Sequence, residues 1–231
     1  MPDLHDDPAQ LPLGGTEGIP LVPPADDPVS VALERGEDAL ARGDLVAAVA
    51  AFREALAATP GHVRARLRLA VSLDRAGDTA GAMAELDRAL TAQGDNVTLL
   101  VGRAALASSR LRYAQAEADL KRALKLTDSN ADVYLQLGIL DCRRARWREA
   151  IDPLRRAVEL DPSLVAAHYS LGEAYNHVDQ LPAARQCYER AAELEPTNWR
   201  AYQGLGVVYD RLGRPVEAAA AYRRSREAQK A

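Results

Sequence analysis

The sequence is poor in the residues on which most catalytic and covalently braced proteins depend. Its 231 residues hold 2 cysteines, Cys142 and Cys187, with no Cys-x-x-Cys and no Cys/His cluster, which argues against a disulfide framework and against a zinc site. Aromatic residues make up 5%, and the 4 histidines (His5, His62, His168 and His177) have no Cys, Asp or Glu at metal-ligand spacing. No stretch approaches the ~18 consecutive apolar residues of a membrane span. The N-terminus has neither the basic region nor the apolar run of a secretory signal, so the expected location is cytoplasmic. Positive charge is missing locally: residues 1–28 contain Asp3, Asp6, Asp7, Glu17, Asp26 and Asp27 and no Lys or Arg. Against a chain total of −4, those six acids leave residues 29–231 at +2. A body so near neutrality lacks the concentrated basic surface that nucleic-acid binding needs. Arg far outnumbers Lys and Ala is abundant, which suggests a GC-rich, bacterial genome.

What the sequence does have is a period. The hydrophobic share of 48% is mostly Ala, Leu and Val, and the chain aligns with itself every 34 residues without an insertion. One column of small residues runs Ala48, Ala82, Ala116, Ala150, Ala184, Ala218. Seven places on, another runs Ala55, Ala89, Ala123, Ala157, Ala191, Ser225, with the bulky column Phe52, Leu86, Leu120, Leu154, Tyr188, Tyr222 between them. Upstream lie Gly36, Ala70, Ala104, Gly138, Gly172 and Gly206, four of them preceded by leucine at Leu69, Leu137, Leu171 and Leu205. Pro60, Pro162 and Pro196 close three units.

Within a unit, Tyr202, Leu205, Gly206 and Tyr209 share one helical face, so the spacing predicts two helices per unit, A and B. Glycines at Gly43, Gly77 and Gly213 suit the left-handed residue that ends helix A. Asn96, Asn130 and Asn198 suit the cap of the next one. Glycine inside a helix costs about 0.8–1 kcal/mol relative to Ala. Gly138, Gly172 and Gly206 therefore need a compensating role, and close approach of helix A to helix B supplies it.

The pattern Tyr202, Leu205, Gly206, Tyr209, Ala218, Tyr222, and its copy His168, Leu171, Gly172, Tyr175, Ala184, Tyr188, Ala191, Pro196, resembles the tetratricopeptide repeat. The resemblance implies an all-α fold, a right-handed α-solenoid of six helix-turn-helix repeats at 29–62, 63–96, 97–130, 131–164, 165–198 and 199–231. It implies that helices A line a concave groove receiving another protein's peptide or amphipathic helix. The groove positions it assigns are Leu33, Glu37, Arg64, Leu67, Val71, Val101, Leu135, Ile139, Arg143, Tyr169, Glu173, Asn176, His177, Gln203 and Val207. Some of these equally fit as core between adjacent helices A. Chaperone-binding members hold a terminal carboxylate with Lys, Asn and Arg. Here those places carry Leu33, Glu37, Arg68, Thr98 and Gly102, which do not rebuild that clamp.

Departures from the pattern are local. Ala32, Arg35 and Ala39 stand where large apolar residues are usual, as expected of an end facing water. Arg223, Arg224, Arg226, Glu227, Gln229 and Lys230 read as a polar cap, and the array reads as complete. The third unit has Arg103 for Leu and Leu111 for Gly; Arg103 needs an acidic partner or a route to solvent. Residues 1–28 are acidic and carry Pro2, Pro8, Pro12, Pro20, Pro23 and Pro24, which predicts a disordered tail, with Asp27 as cap and Pro28 as the first helical residue. Pro20-Leu21-Val22-Pro23 is a PxxP, read as spacer before ligand. Leu11, Leu13, Ile19, Leu21 and Val22 make the tail a candidate occupant of its own groove.

The functional reading is a protein–protein interaction scaffold, not an enzyme, with no cofactor and no metal. His168 reads as a structural histidine, and both cysteines as small apolar fillers. Gly14-Gly15-Thr16-Glu17-Gly18 lacks the Lys-Ser/Thr of a phosphate loop. The alternative is an assembly or secretion chaperone, as similar six-repeat proteins serve pilus biogenesis, although those resemble lipoproteins and no lipobox cysteine is present here. A nucleic-acid-binding helical repeat is the third reading.

Overall fold

Asp27 opens the first helix: its carboxylate accepts from the Val29 amide at 3.3 Å, and Pro28 occupies the first helical position, where its missing N–H costs nothing. The structure, a computed structural model, describes residues 27–230. The tail expected to be disordered, with its PxxP, lies outside the described residues up to position 26. Twelve helices follow in order among them: α1 (Pro28–Ala41), α2 (Leu45–Ala58), α3 (Val63–Arg75), α4 (Thr79–Gln93), α5 (Val97–Ser109), α6 (Tyr113–Leu126), α7 (Ala131–Arg143), α8 (Trp147–Leu160), α9 (Val165–His177), α10 (Leu181–Leu194), α11 (Trp199–Arg211) and α12 (Pro215–Ala228). Odd-numbered helices are the A helices and even-numbered ones the B helices. Asn96, Asn130 and Asn198 cap α5, α7 and α11 as the spacing predicts, accepting from the amides of Leu99, Val133 and Ala201 at 3.1 Å each.

The six hairpin turns are built alike. In each, an amide donates to the carbonyl five residues back at 2.9 Å, from Asp44 to Ala39 in the first and from Arg214 to Tyr209 in the last. Such a turn needs one left-handed residue. Glycine supplies it at Gly43, Gly77 and Gly213 (φ 75°, 92° and 68°), but Leu111, Ala145 and Asp179 take the same conformation at φ 61°, 55° and 64°. The first two hairpins are also better capped: Asp44 and Asp78 accept from the amides of Ala47 and Gly81, while Arg112, Arg146, Gln180 and Arg214 make no side-chain cap.

Within each hairpin the small columns meet. Ala48, Ala82, Ala116, Ala150, Ala184 and Ala218 are all buried, and the bulky residue of helix B lies against the glycine of helix A. A Cβ on Gly36 would come within 2.4 Å of the Phe52 ring, and one on Gly206 within 2.4 Å of Tyr222, so the ring occupies the volume a side chain would take. Fully burying Phe52 contributes on the order of 2–3 kcal/mol, more than the propensity cost of the glycine. Helix A also packs on helix A of the next repeat (α3 on α5, α5 on α7, α7 on α9, α9 on α11), while successive B helices do not pack closely on each other. The array therefore winds as a right-handed α-solenoid with A helices on its inner wall.

Two departures resolve differently from each other. Ala32 and Ala39 are not water-facing: both are 1% exposed, because the short side chains let α2 close over α1. Arg103 finds the acidic partner its place demands. It donates to both oxygens of the buried Asp119 at 2.8 and 2.6 Å, and to Asp87 at 2.6 Å, so a hydrogen-bonded ion pair replaces the leucine of other repeats. The Asp119 hydrogen bond, outweighing burial, raises the guanidinium pKa further above its ordinary value.

Candidate functional site

The inner wall presents two residues per A helix, one helical turn apart. The first row is Leu33, Leu67, Val101, Leu135, Tyr169 and Gln203; the second is Glu37, Val71, Ala105, Ile139, Glu173 and Val207. Leu33 and Leu135 are buried and belong to the core between helices. Leu67, Val101, Ile139 and Tyr169 are half-buried. Val71 and Val207 stand 45% and 37% exposed, which makes them the most open apolar side chains of the two rows among the described residues.

Between α3 and α5 the wall opens into an apolar cavity of about 260 Å³, lined by Leu67, Val71, Leu86, Ala105 and Leu106 and edged by Asp74 and Arg75. Gly102 shapes it. A Cβ there would lie 2.2 Å from Leu67, so the glycine lets Leu67 lean across and form the cavity's side. Gly102 and Leu106 were not among the groove residues that the repeat pattern assigns, while Ala105 shares the column of Val71 and Ile139. The available signal was Gly102 itself, a helix-interior glycine outside the column that packs helix A on helix B.

The polar groove residues are mostly engaged with one another. Glu37 binds Arg64 at 3.2 Å and Arg68 at 2.8 Å, linking repeats one and two. Asp74 takes Arg110 at 2.6 Å and Thr79 at 2.7 Å. Asn176 accepts from Arg211 through both its backbone and side-chain oxygens, and Arg211 also pairs with Asp179. His177 stacks flat on Trp147, ring centroids 3.7 Å apart and planes 6° apart, at the seam of α8 and α9. Arg143 and Gln203 are exposed. The Tyr169 hydroxyl donates to Glu173 at 2.9 Å. Burial raises the pKa of both groups, against which that hydrogen bond and the nearby His177 and Arg200 only partly hold the Glu173 carboxyl down.

Elsewhere the titratable groups are placed for packing. His168 is buried, its Nε2 3.0 Å from the Pro162 carbonyl. Burial pushes the Cys142 thiol up to about 12 and the Cys187 thiol up to about 11, so neither is held as a thiolate at neutral pH. Among the described residues no three His, Cys, Asp or Glu side chains gather in a metal-holding group, and no helix is long and apolar enough to cross a membrane.

Comparison with known proteins follows the same lines. Family models described as tetratricopeptide repeats match residues 39–103 and 163–231, and a third, described as a TPR repeat, matches 142–176. A search of curated proteins finds no match. Among solved structures, the chain is similar to MamA at 26% identity, covering 70% of this chain and 95% of that one with a TM-score of 0.60. It is similar to YrrB, described as a TPR protein with an unusual peptide-binding site, at 21% identity, 78% and 92% coverage and a TM-score of 0.55. The pilF protein of Pseudomonas aeruginosa gives 20% identity, 85% and 89% coverage and a TM-score of 0.67. The last two likenesses speak for the fold alone. With family models matching both ends of the array and six hairpins built on one plan, the chain belongs to the tetratricopeptide repeat family.

Proposed function

We propose that the protein is a protein-interaction scaffold that holds a segment of another protein against the inner wall of the array. The observation that carries this reading is the open apolar surface at Val71 and Val207, together with the cavity between α3 and α5, on a wall whose charged groups are largely paired. Exposed apolar surface of this kind costs stability to a lone chain and is covered when a partner binds. The aliphatic side chains of repeats two to four, with Tyr169 of repeat five and Val207 of repeat six, suit an apolar or amphipathic segment. YrrB, which shares the fold, is described as having a peptide-binding site, and a docking role for this array is in keeping with that.

The test is affinity capture with the full chain and with Val71→Glu and Val207→Glu, read by mass spectrometry. Both valines are exposed, so the charge is tolerated without unfolding, which circular dichroism checks. The expected result is loss of a specific partner by both variants and its retention by Arg156→Glu on the B-helix side. A partner retained by both groove variants would rule out the inner wall as its site.

A further inference from the structure

The cavity between α3 and α5 has a marked chemistry at its rim. Its walls are aliphatic, Asp74 at its edge is already taken by Arg110, and Arg75 beside it makes no ion pair among the described residues. Further along α3, Arg64 and Arg68 share the single carboxylate of Glu37, which leaves the α3 side of the wall with cationic surplus. A segment that fits must bring branched apolar side chains to the cavity and carboxylates to α3, with no bases of its own.

The chain carries such a segment. Residues 1–26 contain five acids (Asp3, Asp6, Asp7, Glu17 and Asp26), no Lys or Arg, and the apolar residues Leu11, Leu13, Ile19, Leu21 and Val22. They join the array at Asp27, at the N-terminal end of α1. From there the cavity lies about one and a half helix spacings sideways, at about 10 Å each, and about eight residues up the helices, at about 1.5 Å each. That is roughly 20 Å, which about seven residues of proline-rich chain span at about 3.1 Å apiece. Leu21 and Ile19 stand at that distance in sequence from Asp27, and Glu17 falls just beyond them.

We propose that the stretch Leu11–Val22 docks in its own chain's cavity between α3 and α5, with Ile19 or Leu21 seated against Val71 and Leu106 and Glu17 facing Arg75. This deepens the reading of the inner wall as a docking surface by naming an occupant that an external partner must displace. Tethering makes the contact intramolecular, so a weak contact suffices to hold it, the effective concentration being on the order of millimolar for a short linker.

The test uses the full chain with the photo-crosslinker benzoylphenylalanine in place of Val71, illuminated without any partner and mapped by mass spectrometry. The expected product is a crosslink to residues 11–22 within a single chain. Ile19→Asp with Leu21→Asp lowers its yield at least tenfold, and Arg75→Glu lowers it two- to fivefold. The label in place of Arg156 captures no tail. Crosslinks that join two chains, or that fall elsewhere on the array, overturn the proposal, the former in favour of a second copy as occupant. As a measurement free of any change in the array, amide exchange in α3 and α5 is expected to quicken in the Ile19→Asp, Leu21→Asp chain; equal exchange counts against docking. Neither readout involves a partner, so failure here leaves the scaffold reading standing, and failure of partner capture leaves this contact standing.

Discussion

Ala145→Gly should stabilise the protein and Gly77→Ala should destabilise it, although both residues are exposed. Each sits at the left-handed position of its hairpin turn, at φ 55° and 92° respectively. A Cβ added at Gly43, Gly77 or Gly213 would meet no atom within 4 Å, so the cost of alanine there is conformational and not steric. For an L residue that conformation costs about 1–2 kcal/mol. Glycine in turn stabilises the unfolded chain through its extra freedom, by about 0.5–1 kcal/mol. The difference leaves a net gain of about 0.5–1 kcal/mol for Ala145→Gly and a similar loss for each Gly→Ala change.

The other two left-handed residues should respond less. Leu111 is 71% exposed but still covers some apolar surface, so replacing it with glycine loses part of the gain. Asp179 tolerates the conformation better than alanine does and also holds Arg211, so Asp179→Gly is neutral or harmful. For an array of this size, about 1 kcal/mol moves the melting temperature by about 2–4 °C. Because repeat arrays depart from two-state unfolding, local amide exchange in the α7–α8 hairpin should accompany the circular dichroism melt. A lowered melt for Ala145→Gly, or an unchanged one for Gly77→Ala and Gly213→Ala, would refute the assignment of strain to these turns.

Asp119→Ala alone leaves the buried Arg103 only the more exposed Asp87 and should cost up to about 3–5 kcal/mol, whereas Arg103→Leu with Asp119→Ala, which restores the repeat pattern, should be neutral or stabilising by about 1–4 kcal/mol; denaturant titration of the single and double variants decides, and a double variant no better than the single would show that the pair is required. Cys187, shifted from 9.0 to about 11, should react with iodoacetamide at pH 8 about 100-fold more slowly than in the denatured chain, from its thiolate fraction alone; equal rates in the two states would contradict its burial. Glu173 has its pKa raised in the fold above the ordinary 4.5, mainly by burial, so the folded chain holds that proton more tightly than the unfolded chain. Its charge therefore lowers stability as pH rises through the raised folded value. Glu173→Gln is expected to raise the melting temperature at pH 7 and to bring no gain below about pH 4; a gain independent of pH would point to packing instead.

The fold was legible because its determinants recur. Thirty-four-residue columns fix the hairpins, the glycine–ring contacts and the asparagine caps, and each copy supports the reading of the others. Three of the six left-handed turns were legible from glycine, and three were not, because Leu111, Ala145 and Asp179 are held there by the hydrogen bonds of the turn rather than by their own preference. Arg103 left its partner unnamed because Asp119 lies in another helix, in a column that elsewhere holds Ala51, Glu85, Pro153, Cys187 and Ala221. Burial of Leu33 and Leu135 and the stacking of His177 on Trp147 depend on how far one repeat turns over the next, and that rotation has no periodic mark.

That division has a consequence for where specificity resides. Residues that keep the period are spent on packing, so on the proposed reading of the inner wall, discrimination between partners rests on the wall positions where the copies differ. Along the second row those differences are chemical: Glu37 and Glu173 bracket Val71, Ala105 and Ile139, and Val207 follows. The carboxylate of Glu37 is satisfied by two arginines from the next repeat, whereas Glu173 has one tyrosine and a desolvated setting. The smallest residue, Ala105, coincides with Gly102 one turn earlier, and together they open the α3–α5 cavity. A bulky apolar side chain has room at that point of the wall, with Leu67 forming one side, whereas the recess between α1 and α3 is edged by Glu37, Asp38 and Arg64. The third repeat, least faithful to the pattern in its core and its turn, is thus also the repeat that gives the wall its apolar recess.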